Sequence, residues 1–158
     1  MIHRLQRIQR LPVGLSEAWD FFSNPKNLDL ITPQDLGFQI TSDIPSKMYQ
    51  GAIITYQVTP LLHIPVTWVT EIAQISEPHF FVDRQLLGPY RLWHHEHHFR
   101  EVEKGIEMED IVHYALPFWL FGALANSLIV QKRLQRIFDF RRDALINRFG
   151  DLKPQGRQ

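Results

Sequence analysis

The sequence contains no cysteine, and this absence removes several classes of structure and chemistry. Without cysteine there can be no disulfide framework, no thiolate nucleophile and no cysteine-based zinc site. A Gly-rich phosphate loop and a nucleophile elbow are also missing, so nucleotide binding and acyl transfer have no support. We therefore expect no cofactor.

The sequence also lacks an excess of charge of one sign. Lys plus Arg number 17 and Asp plus Glu number 17, so no global field attracts nucleic acid or an anionic membrane. The most apolar stretch, residues 115–130, contains Pro117 and is shorter than the ~20 residues of a membrane span. Residues 1–10 are followed by no apolar run of signal-peptide length. We expect a cytoplasmic protein with no nucleic-acid partner and no membrane insertion.

The length and composition are typical of one globular domain. The chain has 158 residues, of which 44% are hydrophobic and 12% aromatic, enough to bury one core. We assign residues 1–150 to a single domain. The polar residues 151–158, which include Pro154 and Gly156, are expected to form a flexible C-terminal tail.

Hydrophobic periodicity divides the domain into strands and helices. Alternation over residues 2–11 predicts a first strand, and two short helices follow it, one capped by Ser16 and one over residues 26–31. An apolar repeat of three and four residues predicts a long helix over about 121–149, whose basic residues, Arg141 among them, are expected to face solvent. Period-two segments predict six further strands, at 38–42, 51–59, 66–75, 80–86, 90–102 and 106–115.

This order of elements predicts an α+β architecture. A curved, seven-stranded antiparallel sheet has one apolar face, and the long C-terminal helix is the element available to cover it. Because the sheet is curved and the helix is narrow, side chains need not fill the whole concavity. The remaining gap would be a pocket for a small ligand.

Several segments carry a family resemblance in addition to the order of elements. They are Gly88-Pro89-Tyr90, residues 93–99, and Ile137-Phe138-Asp139-Phe140-Arg141. Together they resemble the START-like, helix-grip superfamily, also called SRPBCC, which includes Bet v 1 type proteins and polyketide cyclases, and within it the bacterial ligand-binding SRPBCC domain-containing proteins. The resemblance spans nearly the whole chain. It implies a cavity between sheet and helix that takes lipids, polyketides, steroids or similar ligands, and a catalytic role in some members.

Residues 93–99 hold half of the eight histidines. On a strand, Trp93, His95, His97 and Phe99 would share one face, and their aromatic members assign that face to the cavity. His95 and His97 could be hydrogen-bonded core residues, ligand-orienting groups, or a general acid and base. A metal ion shared by both would need a third inward ligand, which the local motif lacks, so we predict no metal site.

A tight turn at Lys104-Gly105 predicts how the last two strands pair. If Glu103 pairs with Ile106, the register of the two strands is fixed. The pairs that follow are Phe99 with Asp110, His97 with Val112, and His95 with Tyr114. The resulting inner cluster of imidazoles, a carboxylate and a phenol would be costly to bury unless its members were hydrogen-bonded to one another.

We expect a protein that binds a small, mostly hydrophobic ligand of lipid, polyketide or aromatic type, rather than an enzyme. The candidate ligand-binding residues are Trp93, His95, His97, Phe99, Asp110, Val112, Tyr114, Phe118 and Phe138. One alternative is a cyclase or hydratase in which His95 or His97 is the base and Asp110 orients it. Tyr114 or the other histidine would then be the acid. A second alternative is a protein-interaction module that uses the apolar lip at 118–121.

Overall fold

The computed structural model describes residues 1–61, 64–116 and 124–152, with side chains for all of these except 60, 61 and 124–127. The predicted division into one domain over 1–150 and a tail over 151–158 stays a prediction, because residues 153–158 lie outside the described part. Among the described helices, none combines the length and the apolar character needed to cross a bilayer.

A seven-stranded antiparallel sheet is the main element of the structure, as the sequence predicted. Its strands are β1 (His3–Leu11), β2 (Gln39–Ile40), β3 (Ile53–Leu61), β4 (Ile64–Ser76), β5 (Phe80–Leu87), β6 (Leu92–Val102) and β7 (Gly105–Ala115). They lie in the order β1-β7-β6-β5-β4-β3-β2, so every neighbour except the β1 and β7 pair is consecutive in the chain. Register shifts along β3 and β4 mark bulges, which bend a sheet and make it concave.

Helical segments follow β1 and end the described fold. Helix α1 (Leu15–Phe22) is followed by 3-10 segments at Pro25–Ile31 and Gln34–Leu36, and helix α2 spans Leu124–Phe149. The predicted cap at Ser16 is wrong, because the residue before the first helical turn is Gly14 and Ser16 lies within the helix. At the far end Gly150 adopts a φ of 95° and its N–H donates to the Ile146 carbonyl oxygen, which terminates α2 as predicted.

The core fills the concave side of the sheet in two parts. One part surrounds α1, where Trp19 and Phe22 pack against Phe99 and against Leu145 of α2. The other lies under the middle of α2, where Leu134 and Phe138 pack in one cluster with Val112 and Tyr114 of β7. Helix α2 therefore covers the sheet along a buried stripe, and the space between the two parts of the core is left for a cavity.

The pairing of β6 with β7 differs from the predicted register by two residues. Val102 pairs with Gly105, so the turn residues are Glu103 and Lys104. Lys104 takes the left-handed conformation, with a φ of 69°, although the sequence offers glycine at the next position. Gly105 instead begins β7, where a Cβ would lie 2.1 Å from the Leu11 carbonyl oxygen of β1. A shift of two residues keeps every side chain on its predicted face but changes its partner.

Candidate functional site

A cavity of about 250 Å³ lies between the sheet and helix α2. Most of its wall is apolar. The apolar lining includes Phe21, Phe22, Leu28, Ile31, Met48, Ile54, Val58, Ile72, Phe81, Leu116, Val130, Leu134, Ile137 and Phe138. Four larger aromatic residues with a polar atom, Tyr56, Trp68, Tyr90 and Trp93, border it as well. The volume is slightly below the ~300–1,000 Å³ of drug-sized ligand pockets, which indicates a small occupant.

Ionisable side chains meet at one place on the cavity wall, on three adjacent strands. In the strand pairing, Asp83 of β5 lies opposite His95 of β6, and His97 of β6 lies opposite Asp110 of β7. His95, His97 and Asp110 are each no more than 6% exposed. The two imidazoles, which are two residues apart on one strand face, are therefore flanked by a carboxylate on either side.

Each imidazole faces both carboxylates through its two ring nitrogens. His97 Nε2 lies 2.9 Å from Asp83 Oδ2, and His97 Nδ1 lies 2.9 Å from Asp110 Oδ1. His95 Nδ1 lies 3.5 Å from Asp83 Oδ2, and His95 Nε2 lies 3.1 Å from Asp110 Oδ1. The centroids of the two rings are 3.8 Å apart. The four side chains form one compact network.

Arg141 completes this network from helix α2. Its Nη2 lies 3.6 Å from Asp110 Oδ1 and 3.5 Å from His97 Nδ1, and its guanidinium carbon lies within 6 Å of the Phe22 and Phe138 ring centroids. Arg141 is 8% exposed, so the expectation that it faces solvent is wrong. The physical reason is its position on the buried stripe of α2, between Phe138 and Leu145.

Burial and mutual charge shift the pKa of the two carboxylates and the two imidazoles. Burial by itself raises the pKa of Asp110, but the Arg141 charge and hydrogen bonds from the two imidazoles outweigh it and hold the pKa well below its usual value. For His95, burial and the neighbouring His97 lower the pKa. For His97, burial would also lower the pKa, but hydrogen bonds to Asp110 and Asp83 raise it instead. The pKa of Asp83 is lowered as well, chiefly by its hydrogen bond with His97, so the pKa values of both carboxylates are lowered and those of the two histidines move in opposite directions.

Two buried N–H groups have no partner among the described residues. They are Trp68 Nε1 and Arg141 Nε, and both side chains border the cavity. By contrast, the Tyr56 hydroxyl, on the same wall, is hydrogen-bonded to the Thr70 hydroxyl. A buried donor without an acceptor costs about 1–3 kcal/mol. Two residues of the mostly apolar wall thus carry a hydrogen-bond donor without an acceptor among the described residues.

The structure brings some of the predicted site residues to the cavity and places others in the core. Trp93, His95, His97 and Phe138 border the cavity. Asp110 lies behind the two histidines. Phe99, Val112 and Tyr114 are not on the cavity wall: Phe99 packs on Trp19 and Phe22, Val112 is fully buried in the cluster under α2, and Tyr114 stacks on His3. Phe118, with the whole predicted lip at 118–121, lies outside the described residues.

Sequence reasoning missed two members of the network, Asp83 and Arg141. Aspartate is depleted in strands, so Asp83, on the same strand face as Phe81, was a detectable signal. Arg141 falls within the α2 series Leu134, Phe138, Arg141, Leu145, and that spacing of three and four residues marks the covered face of the helix.

Three of the network residues offer a set of metal-ligand atoms. One atom each from Asp83, His95 and His97 lies within 4.8 Å of the other two. Asp83 supplies the third inward ligand that was missing from the local sequence motif.

On the opposite face of β6, Glu96 contacts His98 at 3.0 Å and His94 at 3.5 Å, but His94 and His98 are partly exposed.

Comparison with known proteins identifies the fold. No protein-family model matches the sequence, and no curated protein matches it either. Similar solved structures include protein Ms6760 from Mycobacterium smegmatis, with a TM-score of 0.67 and 15% identity over 98% of this chain and 93% of that one. Ara h 8.0201, a Bet v 1 allergen, has a TM-score of 0.61 and 12% identity over 93% and 99% of the two chains. TTHA0849 from Thermus thermophilus has a TM-score of 0.62 and 18% identity over 94% and 96%.

These matches cover nearly the whole of each chain. The protein therefore has a Bet v 1-like, helix-grip α+β fold, as the resemblance implied. At identities below one fifth the likeness establishes the fold alone, and function has to be argued from the site.

Proposed function

We propose that the protein binds a small, mostly apolar organic ligand in the cavity between the sheet and helix α2. The observation that carries the proposal is an apolar cavity of about 250 Å³ whose wall includes two buried N–H donors without an acceptor among the described residues. An apolar ligand body would replace water against the hydrophobic wall. An acceptor atom on the ligand would bond the free donors and recover the free energy that their burial costs.

The positions of the donors constrain the ligand further. Trp68 is on β4, in ring contact with Tyr90 and Trp93, whereas Arg141 is on α2 beside the ionisable network. A ligand with one acceptor would bond one of these donors, and a ligand with acceptors at both ends would bond both. Lipid, polyketide and aromatic compounds that carry a carbonyl, ether or hydroxyl oxygen have this chemistry.

The alternative of an acid–base cyclase or hydratase has weaker support. A general base needs a ring nitrogen that can reach the substrate proton. All four ring nitrogens of His95 and His97 lie within 3.5 Å of a carboxylate oxygen, and Tyr114, the proposed acid, packs away from the cavity. The network is better suited to hold the wall in place and to present Arg141 than to exchange protons with a substrate.

A pair of neighbouring isoleucines on β3 allows a controlled test. Ile54 is 3% exposed and borders the cavity, whereas Ile53 is 46% exposed and points to the other face of the sheet. Ile54→Trp would fill part of the cavity, and Ile53→Trp adds the same bulk outside it. We would titrate both variants and the unchanged chain with N-phenyl-1-naphthylamine, an uncharged apolar probe, and follow its fluorescence.

The proposal predicts saturable binding of one probe molecule per chain, weakened at least tenfold by Ile54→Trp and unchanged by Ile53→Trp. Equal weakening by both variants, or no saturable binding to the unchanged chain, would contradict binding inside the cavity. Circular dichroism of both variants provides the check that each remains folded.

A further inference from the structure

We infer that Asp83, His95 and His97 form a binding site for one divalent first-row transition-metal ion at the wall of the cavity. The site belongs to the open kind, with three protein ligands and at least one coordination position directed at the cavity. The inference is independent of the proposed organic ligand, because metal binding can be measured with the metal alone.

The two distances from Asp83 to the histidine nitrogens fit a shared ion, and the three ligand atoms all lie within 4.8 Å of one another. Asp83 Oδ2 lies 2.9 Å from His97 Nε2 and 3.5 Å from His95 Nδ1. Bonds of about 2.0–2.2 Å to one ion place neighbouring ligand atoms roughly 2.8–3.6 Å apart, for octahedral or tetrahedral angles. Because the three residues come from paired strands, their backbone positions are held by the sheet, and the ion would require little movement of the side chains.

The remaining ring nitrogens have the partner that metal-binding histidines usually have. A ligating imidazole commonly donates its other N–H to a carboxylate, which fixes the tautomer and the ring orientation. His95 Nε2 lies 3.1 Å and His97 Nδ1 lies 2.9 Å from the same Asp110 oxygen. Both histidines are therefore oriented so that the nitrogen turned away from Asp110 is turned toward Asp83.

The charges of the network also favour a cation. When both imidazoles are neutral, as ligation of a metal requires, the carboxylates of Asp83 and Asp110 carry two negative charges against the one positive charge of Arg141. Arg141 neutralises the Asp110 side, since its Nη2 lies 3.6 Å from the Asp110 oxygen and 3.5 Å from the His97 nitrogen that faces Asp110. A cation beside Asp83 would supply the missing charge on the other side of the two rings.

The ligand types and the surroundings indicate which ions fit. Two imidazoles and one carboxylate suit Zn²⁺ or Fe²⁺, whereas Mg²⁺ and Ca²⁺ prefer oxygen ligands alone. Asp83, His95 and His97 all border the cavity, while Asp110 lies behind them. The coordination positions of the ion that the protein does not occupy would therefore be filled by water or by a donor atom of a molecule in the cavity. Catalytic zinc sites have such open positions, and structural zinc sites do not.

The outer face of β6 provides both a rival site and a control. His94, Glu96 and His98 lie close together there and offer imidazole and carboxylate ligand types of the same kind. The test therefore uses the untagged full chain with His94→Gln and His98→Gln, which removes the outer histidines and leaves the inner ligands intact. Asp83→Asn is then added to this background.

The experiment is equilibrium dialysis against Zn²⁺, with metal content measured by mass spectrometry. We expect one Zn²⁺ per chain in the His94→Gln/His98→Gln protein, no comparable binding of Mg²⁺, and at least a hundredfold loss of Zn²⁺ affinity when Asp83→Asn is added. Asp110→Asn should weaken Zn²⁺ binding about 10–100-fold without abolishing it, because Asp110 orients the ligands and does not itself bind the metal.

A second measurement protects the test against a variant that fails to fold. Zn²⁺ should raise the thermal midpoint of the His94→Gln/His98→Gln protein, since a ligand that binds only the native state stabilises it. Visible absorption bands of Co²⁺ should appear on titration of the same protein. Absence of stoichiometric Zn²⁺ and of the Co²⁺ bands in this folded protein, or their retention after Asp83→Asn, would overturn the inference.

Discussion

The Asp110 carboxylate on β7 and the His97 imidazole on β6 lie directly opposite each other, with Oδ1 and Nδ1 2.9 Å apart. This cross-strand pair is the centre of the ionisable network, because the same oxygen also meets His95 and Arg141. One carboxylate thus connects the middle of the sheet to the helix that covers it. The wall of the cavity and the attachment of α2 depend on the same contacts.

The attachment of α2 leads to a stability prediction. Arg141→Met removes the buried guanidinium and leaves Asp110 without its cation, so we expect a loss of about 3–5 kcal/mol in the free energy of unfolding. Arg142→Met is the matched control, because Arg142 is exposed and pairs with Asp143 at the surface, where such pairs contribute about 0–1 kcal/mol. Urea denaturation of both variants measures the difference. A loss below about 1 kcal/mol for Arg141→Met would contradict a structural role for the pair.

The outer face of the sheet gives a pH prediction. Glu107 is 4% exposed and lies opposite Arg10 of β1 and Arg100 of β6, with ion pairs to both. Burial would raise the pKa of Glu107, but hydrogen bonds from Arg10 and Arg100 outweigh it and lower the pKa below 4.5. A lowered native pKa means that the stabilisation is complete above the unfolded value and is lost as the pH falls through the native one.

The measurement is the thermal midpoint between about pH 7 and about pH 3. The unchanged chain should lose stability as the pH falls below about 4.5, and Glu107→Gln should be less stable near neutral pH but show a flatter decline in acid. Glu17→Gln, which alters an exposed carboxylate on α1, serves as control. If the thermal midpoints of the unchanged chain and of Glu107→Gln fall in parallel with pH, a group other than Glu107 causes the loss of stability in acid.

The close approach of two backbones gives a prediction about glycine. A Cβ on Gly105 would lie 2.1 Å from the Leu11 carbonyl oxygen, so Gly105→Ala must push β1 away from the start of β7. We expect a loss of about 1–3 kcal/mol, as for other overpacked sites. Gly14→Ala, whose Cβ would have no neighbour within 4 Å, should cost only about 0.5–1 kcal/mol, because alanine is a poorer N-cap of α1 than glycine. Equal effects in chemical denaturation would contradict the packing argument.

These packing relations also explain how far the sequence could predict the structure. Strand and helix positions follow from local periodicity, and all seven strands and the long helix were predicted close to their observed limits. The register between β6 and β7 was predicted wrongly. The turn conformation at Lys104 is decided by the contact between Gly105 and Leu11, which are far apart in the sequence. Local turn preference favoured glycine in the left-handed position, and the tertiary contact reversed it.

For the candidate site as well, features set by local alternation were predicted and features set by tertiary contacts were missed. His95 and His97 were found together because alternation places residues two apart on the same strand face, whatever the register. Asp83 and Arg141 were missed because their roles depend on which strand and which helix turn meet the histidines in space. Their positions alone were informative, because Asp83 is an acidic residue within a strand, two positions from Phe81, and Arg141 is a cation on an apolar helix stripe.

The free donor on β4 leads to a prediction about affinity. Trp68→Phe keeps an aromatic wall but removes the unpaired indole N–H, so a ligand whose acceptor bonds that group should lose about 0.5–1.5 kcal/mol of binding free energy, or roughly 2–13-fold in Kd. Trp19→Phe, which alters the core but not the cavity wall, should leave Kd unchanged. Calorimetric titration with an aromatic ketone and with the matching hydrocarbon separates the hydrogen bond from the apolar contact. The hydrocarbon has no acceptor, so it should bind the unchanged chain and Trp68→Phe equally.

The most direct test of ligand binding is native mass spectrometry of the untagged protein, followed by denaturing extraction and identification of what is released. Ligand binding in the cavity predicts one small organic molecule per chain, retained by Ile53→Trp and lost from Ile54→Trp. It also predicts that the released compound is largely apolar and carries at least one hydrogen-bond acceptor. A protein that carries no such molecule and takes none up from an extract of its host cells, or an Ile54→Trp variant that retains it, would contradict the account.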